Sequence, residues 1–189
     1  LCLFVFTTTV TPGPNNMMLL ASGVNFGFRR SLPHMAGISS GVMVMVMLCG
    51  LGLAQVIEAA PWAKLALKVA LVAYVLWLAW KLAGAGAPDG ADARRAPMTW
   101  LQAAAFQWVN PKAWAMVLGA LAGYGAAESW GRLVLIAVLF GAIGFPCISI
   151  WAFAGERLRD WLAVPARLKA FNWTMAGLLV LSFVPVLWI

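Results

Sequence analysis

The sequence is poor in charge. Lysine, arginine, aspartate and glutamate make up 10% of its 189 residues, while 63% are hydrophobic. A soluble domain carries about a quarter charged residues, so the apolar excess has no soluble core to fill and lipid is the expected solvent. Acids are scarcest. Glu58, Asp89, Asp92, Glu128, Glu156 and Asp160 are the full set, and all fall at loops or span ends, which excludes a carboxylate proton relay at mid-membrane. Histidine occurs once, as His34, beside an expected cytoplasmic loop where an interfacial position is the natural reading. The apolar runs lack the clustered His, Asp or Glu that a transition metal needs. Cys2, Cys49 and Cys147 lie in apolar runs and form no CxxC pair, so they give no disulfide or zinc framework. There is no GxxxxGK[ST], hence no P-loop for ATP. Neither an enzyme nor a bound cofactor is expected.

What is present is a series of apolar runs of roughly 20 residues, the length that spans a bilayer. Six segments can be drawn: residues 1–26, Gly37 to Ile57, Trp62 to Leu82, Met98 to Leu121, Arg132 to Ala154, and Phe171 to Ile189. The first is interrupted at Pro12-Gly13-Pro14 and the fourth at Asn110-Pro111-Lys112. The chain starts at Leu1, so the first span is expected to be shortened. The opening run does not read as a removable signal peptide, because no basic segment precedes it and TPGP interrupts it. The fold class is therefore an all-α integral membrane protein, one membrane domain over 1–189. Repeat one covers 1–84, a linker 85–97, and repeat two 98–189.

The net charge of +7 does not indicate nucleic acid, since aromatic residues do not interleave with the basic ones. The positive charges lie between spans and act as orientation signals. Odd connections carry Arg29 and Arg30, then Lys81, Arg94 and Arg95, then Arg157, Arg159, Arg167 and Lys169; even ones carry only Lys64, Lys68 and Arg132. The positive-inside rule puts the odd connections in the cytoplasm and both termini outside it, in the periplasm of a bacterial inner membrane. Trp62, Trp130 and Trp188 near span ends fit interfacial anchoring.

The two halves share a plan: a span broken by proline with asparagine at the break, then two unbroken spans. Three spans per half is an odd number, so the halves insert in opposite directions. That is the inverted repeat of many secondary transporters, whose substrate site is built from discontinuous helices.

The breaks have chemical consequences. Pro12 and Pro14 have no N–H, so the carbonyls of Thr8 and Val10 lose their helical partners, and Gly13 lets the backbone turn between them. In hydrocarbon such a break survives only beside protein or a water-filled cavity. The half-helix from Pro14 presents the N–H groups of Asn15, Asn16 and Met17, a positive end that favours a carboxylate. The released carbonyls, with Thr7, Thr8, Thr9 and Thr11 nearby, suit a substrate ammonium. Pro111 likewise releases the carbonyl of Gln107, and Asn110 is placed to cap the next helix. Lys112 then stands in an apolar stretch, where an intramembrane charge is a functional candidate by default; snorkelling or a helix–helix contact is the alternative. For Asn15 and Asn16 the alternative is capping and interhelical bonding. Gly37 with Gly41, and Gly119 with Gly123, have the spacing of close helix packing. "VMVMVMLC" (42–49) reads as lipid-facing or packing surface.

"TPGPNN" (11–16), "GFRRS" (27–31), "AYVLWLAWKLA" (73–83) and "WVNPKAW" (108–114) together resemble the LysE/RhtB family of bacterial amino-acid exporters, over nearly the whole chain. The doubled asparagine, "FRRSLPHMAGISSG" and "WLAWKLA" look closest to the branch that exports cysteine and O-acetylserine. The resemblance implies a six-span inner-membrane exporter of amino acids or their derivatives, driven by proton exchange. Carried over residue by residue, Pro12, Gly13, Pro14 and Asn15 correspond to the family's first break, and Asn110, Pro111 and Lys112 to its second. Many relatives have Asp where this chain has Asn15, so a titrating group is missing here. The candidate substrate contacts are Thr11, Pro12, Gly13, Pro14, Asn15, Asn16, Asn110, Pro111 and Lys112, with Lys112 expected to bind the substrate carboxylate and to change partner during the cycle. The expected partners are a small zwitterionic amino acid, lipid and protons, with a homo-oligomer left open. An intramembrane thiol redox carrier using Cys49 and Cys147, a cation efflux protein and a passive channel are the competing classes.

Overall fold

The computed structural model describes residues 1–53, 61–84, 96–126 and 129–181. Each apolar segment is mainly helical where described. Helices α1 (Cys2–Val10) and α2 (Pro14–Phe26) make the first broken span. A 3-10 turn, Arg29–Ser31, leads into α3 (Leu32–Gly50), and α4 is Pro61–Ala83. The second broken span is α5 (Trp100–Phe106), a 3-10 turn (Gln107–Val109) and α6 (Pro111–Gly123). Then come α7 (Trp130–Leu158), a 3-10 turn (Trp161–Ala163) and α8 (Pro165–Leu181). Among the described residues there is no strand.

Helix ends depart from the expected segment ends because hydropathy does not stop a helix; caps and prolines do. The α3 helix starts at Leu32 with Pro33 in its first turn, where a missing N–H costs nothing. A capping box between Thr99 and Gln102 opens α5, Ser129 caps α7 and Pro165 opens α8. The α7 helix runs through Pro146 and on into the charged sequence at Arg157. Arg29–Gly50 and Trp130–Leu158 are, among the described residues, the helices individually long and apolar enough to cross a membrane, with mean hydropathies of 1.6 and 2.6. Leu3, Trp62, Trp80 and Leu101 point outward and are largely exposed, as in a protein whose solvent is apolar.

Packing follows a reciprocal scheme. The first broken span lies on α7, the second on α3, and α4 lies on α8. Glycines make the two main crossings close. A Cβ on Gly23 would run into the Ala152 carbonyl, and one on Gly155 into the Leu20 carbonyl. Gly37 likewise lies against the Trp100 carbonyl, and a Cβ on Gly41 would lie 2.8 Å from Ala104 Cα. Gly119 and Gly123 do not repeat the arrangement. Gly119 faces only the Phe4 ring, and Gly123 has open space beside it. Val42, Met45, Val46 and Cys49 in "VMVMVMLC" are buried while Val44 and Leu48 face outward, as a helix requires.

The C-terminal ends of α2 and α7, the 3-10 turns Arg29–Ser31 and Trp161–Ala163 and the start of α8 meet at one end of the molecule. There Val24, Leu162 and Leu168 form a small core, Phe28 stacks edge-on to Phe153, and the Glu156 carboxylate lies beside Gly27. Arg29, Arg30, Arg157, Arg159, Arg167 and Lys169 belong to this end, with Arg157 over Phe153 and Arg167 over Trp161. Lys64, Lys68, Asp89, Asp92, Arg94, Arg95, Glu58, Glu128 and Trp188 lie outside the described residues or side chains.

Candidate functional site

The two breaks face each other across the middle of the bundle. In the first, every carbonyl from Thr8 to Pro12 has found a donor. Thr11 Oγ1 donates to Thr8 O at 3.2 Å. Trp151 Nε1, from α7, donates to Val10 O at 3.1 Å. Asn16 Nδ2 bridges Thr9 O and Thr11 O, both at 2.8 Å. Lys112 Nζ donates to Thr11 O at 2.6 Å, Thr11 Oγ1 at 2.9 Å and Pro12 O at 3.2 Å. The carbonyls that the prolines orphan, Thr8 and Val10, are thus satisfied by Thr11 and Trp151, and of the groups expected to meet a substrate ammonium only Thr11 Oγ1 bonds to the lysine ammonium.

Gly13 plays a different part from the expected one. Its backbone is extended, with φ −180° and ψ 178°, a conformation open to any residue. Its missing side chain matters because a Cβ would lie 2.6 Å from Lys112 Cδ. The glycine makes room for the lysine. Pro14 opens α2, whose start has no side-chain cap.

In the second break Gln107 O accepts from Asn110 N at 3.2 Å, which closes the 3-10 turn on the carbonyl released by Pro111. Asn110 Oδ1 accepts from Lys112 N at 3.1 Å, the expected cap. The breaks are also joined by a pair of amides: Asn15 Nδ2 donates to Gln107 Oε1 at 2.8 Å, and Gln107 Nε2 donates to Asn15 Oδ1 at 3.1 Å. Gln107 is fully buried and donates as well to Ala103 O at 2.9 Å. It is a site residue that the sequence reading missed, although a glutamine one turn before NPK in an apolar stretch was a signal to be found.

A cleft lies between the breaks, with about 440 Å³ of empty space that includes open solvent. Thr8, Thr9, Gly13, Asn15, Asn16, Ser39, Asn110 and Lys112 line its polar side, and Ile38, Val42, Met116, Phe140 and Ile148 its apolar side. Of the nine candidate residues, Gly13, Asn15, Asn16, Asn110 and Lys112 line the cleft. Thr11 and Pro12 hold the lysine from outside it, and Pro14 and Pro111 begin the two half-helices. Lys112 is the charged residue of the lining, and no acid joins it. Thr9 Oγ1 is buried without a hydrogen-bond partner among the described residues. Thr7 and Thr8 turn their hydroxyls back onto α1.

The family model for the LysE type translocator matches residues 6–189. The chain belongs to the LysE family. It is 30% identical over 181 residues to the cysteine/O-acetylserine efflux protein of Klebsiella pneumoniae, covering 94% of this chain and 90% of that one. It is 36% identical over 162 residues to the protein of the same description from Escherichia coli K12, covering 81% and 79%; the Shigella sonnei protein gives the same figures. No solved structure matches. The LysE translocator is an all-helical membrane transporter of the amino-acid efflux class and not an enzyme.

The rival redox class rests on Cys49 and Cys147. Both are buried free thiols, and neither lines the cleft.

Proposed function

We propose that this LysE translocator is a six-span secondary exporter of small zwitterionic amino acids or their derivatives, of the cysteine and O-acetylserine kind, driven by proton exchange. In this reading its halves are inverted repeats, the end bearing Arg29, Arg30 and Arg157 faces the cytoplasm, and both termini are extracytoplasmic. The naming of its relatives supports the substrate class. The reciprocal packing of each broken span on the second span of the other half supports the repeat.

The observation that carries the reading is the reach of Lys112 from the second break to the carbonyls of the first. A substrate carboxylate is a stronger partner for the ammonium than neutral carbonyls are, because it adds the Coulomb attraction of opposite charges in a site poorer in water than the bulk. When Lys112 turns to the carboxylate, Pro12 O and Thr11 Oγ1 lose their donor, while Thr11 O keeps only Asn16 Nδ2. The substrate's own ammonium brings three N–H donors and replaces it. Donors and acceptors remain matched before and after, so the substrate binds without leaving these polar groups bare, and it can leave again. A simple amine would leave Lys112 without a carboxylate, and a simple acid would leave Pro12 O bare. The cleft therefore selects a zwitterion. A dibasic amino acid would bring a second cation toward Lys112 with no acid in the lining to receive it. The apolar wall suits a short side chain, and Thr9 Oγ1 is available to a polar one.

Counterflow in proteoliposomes loaded with cysteine, O-acetylserine, homoserine, threonine, leucine or lysine tests the reading. The expected result is exchange of the small neutral substrates and rejection of lysine, with net export collapsing on addition of an uncoupler. Flux indifferent to the proton gradient would indicate a passive channel, and preference for lysine would overturn the substrate assignment.

A further inference from the structure

The expected interfacial position of His34 is not what the fold gives it. The side chain is 2% exposed, and neither Nδ1 nor Nε2 has a hydrogen-bond partner among the described residues. A buried polar group left without a partner costs about 1–3 kcal/mol, so an imidazole kept in that condition points to a partner supplied in another step of the cycle.

Its position narrows what that partner is. His34 lies in the first turn of α3, directly after the Arg29–Ser31 turn at the basic end of the molecule. One turn further along the same helix, Ile38 lines the cleft. The imidazole therefore stands between the cleft and the end that faces the cytoplasm. Buried hydroxyls lie one turn back toward that end: Ser31 Oγ donates to Gly27 O at 2.9 Å and lies 2.7 Å from Ser22 Oγ. Gly27 in turn has the exposed Glu156 carboxylate beside it.

The charged groups on elements packed against α3 are few. The 3-10 turn before it carries Arg29 and Arg30, α6 carries Lys112, and α7 carries Arg132, Glu156 and Arg157; α2 and α5 carry none. None of them bonds to the imidazole. Within the described spans His34 is thus a buried group able to take up and give back a proton without disturbing an ion pair.

We propose that His34 carries the coupling proton. A ring nitrogen accepts one proton that enters through the cleft from the extracytoplasmic side after substrate has left, forming the imidazolium. The same proton passes to the cytoplasm, past the hydroxyls and Glu156, as the next substrate binds. One proton moves inward for each substrate moved outward, and no other group changes charge. This deepens the proton-exchange reading and depends on it.

Because His34 is the one histidine of the chain, the unmodified protein can be tested. With 15N-labelled histidine, a single pair of ring signals reports its charge and tautomer between about pH 5 and pH 8. The expected result is that saturating O-acetylserine shifts its titration, with release of protons to a pH indicator on the same addition. Ring signals held in one protonation state, with and without substrate, would overturn the proposal. In proteoliposomes, His34→Gln should keep substrate counterflow but reduce uptake driven by an imposed pH gradient about a hundredfold, the low end of what a positioned proton acceptor contributes. A His34→Gln protein driven as strongly as wild type overturns the assignment to His34. A wild-type protein that the gradient does not drive overturns the proton-exchange reading itself.

Discussion

Replacing Gly13 with alanine separates two roles a glycine can have at a break. If Gly13 serves the backbone, alanine is costly whatever stands nearby. Its extended conformation argues otherwise and leaves only the contact with Lys112. A Cβ would lie 2.6 Å from Lys112 Cδ and 3.1 Å from Nζ, whereas carbon atoms prefer about 3.5–4.0 Å. The lysine must retreat by about 1 Å. Its bond to Pro12 O, already 3.2 Å, is lost, and those to Thr11 weaken. Each hydrogen bond to a charged group is worth about 1.5–3 kcal/mol. Thr11 and Pro12 are exposed, so the combined loss is nearer 1–2 kcal/mol, because solvent screens such pairs. Alanine also restricts the unfolded chain and returns about 0.4–1 kcal/mol. The net effect is a destabilisation of roughly 1 kcal/mol with a loss of counterflow of about tenfold to a hundredfold. In a Lys112→Ala background no atom stands at the Cδ position, and the same substitution should stabilise by about 0.4–1 kcal/mol. Unfolding in mixed detergent micelles measures both backgrounds. A Gly13→Ala effect of equal sign and size in the two would refute the steric account and restore the glycine's role as a hinge.

Three other predictions follow from the same geometry. Trp151→Phe removes the donor to Val10 O, whose helical partner would have been Pro14, and should cost about 1–3 kcal/mol in the same unfolding assay. Asn15→Ala and Gln107→Ala should be non-additive, with a coupling energy of about 1–2 kcal/mol for the reciprocal amide pair; additive effects would mean the pair does not join the breaks. Gly155→Ala places a methyl against the Leu20 carbonyl and should destabilise by about 1–3 kcal/mol, whereas Gly123→Ala enters open space and should stabilise by up to about 1 kcal/mol.

The breaks were legible in the sequence because the cause is local: a proline has no N–H wherever it sits. The helical class followed from composition for a similarly simple reason. What completes the breaks was not legible. The donor to Val10 O is 141 residues away at Trp151, and the amide partner of Asn15 is 92 residues away at Gln107. Only the packing of α2 and α7 and the facing of the two breaks bring them together. Gly37–Gly41 and Gly119–Gly123 have the same spacing, yet only the first meets another backbone, since spacing marks a face without saying what covers it. His34 followed the same rule in reverse. Its neighbours Arg29 and Arg30 suggested an interface, but the start of α3 is covered, and the imidazole is buried. Lys112 was picked out by its apolar surroundings; its partners became visible only with the first break opposite it.

The central claim is that Lys112 exchanges the carbonyls of the first break for a substrate carboxylate. Counterflow of O-acetylserine through Lys112→Met in proteoliposomes tests it most directly, with folding checked by the unfolding midpoint. The account predicts a folded protein whose counterflow has fallen to background. A folded Lys112→Met protein that exchanges O-acetylserine at the wild-type rate would contradict it.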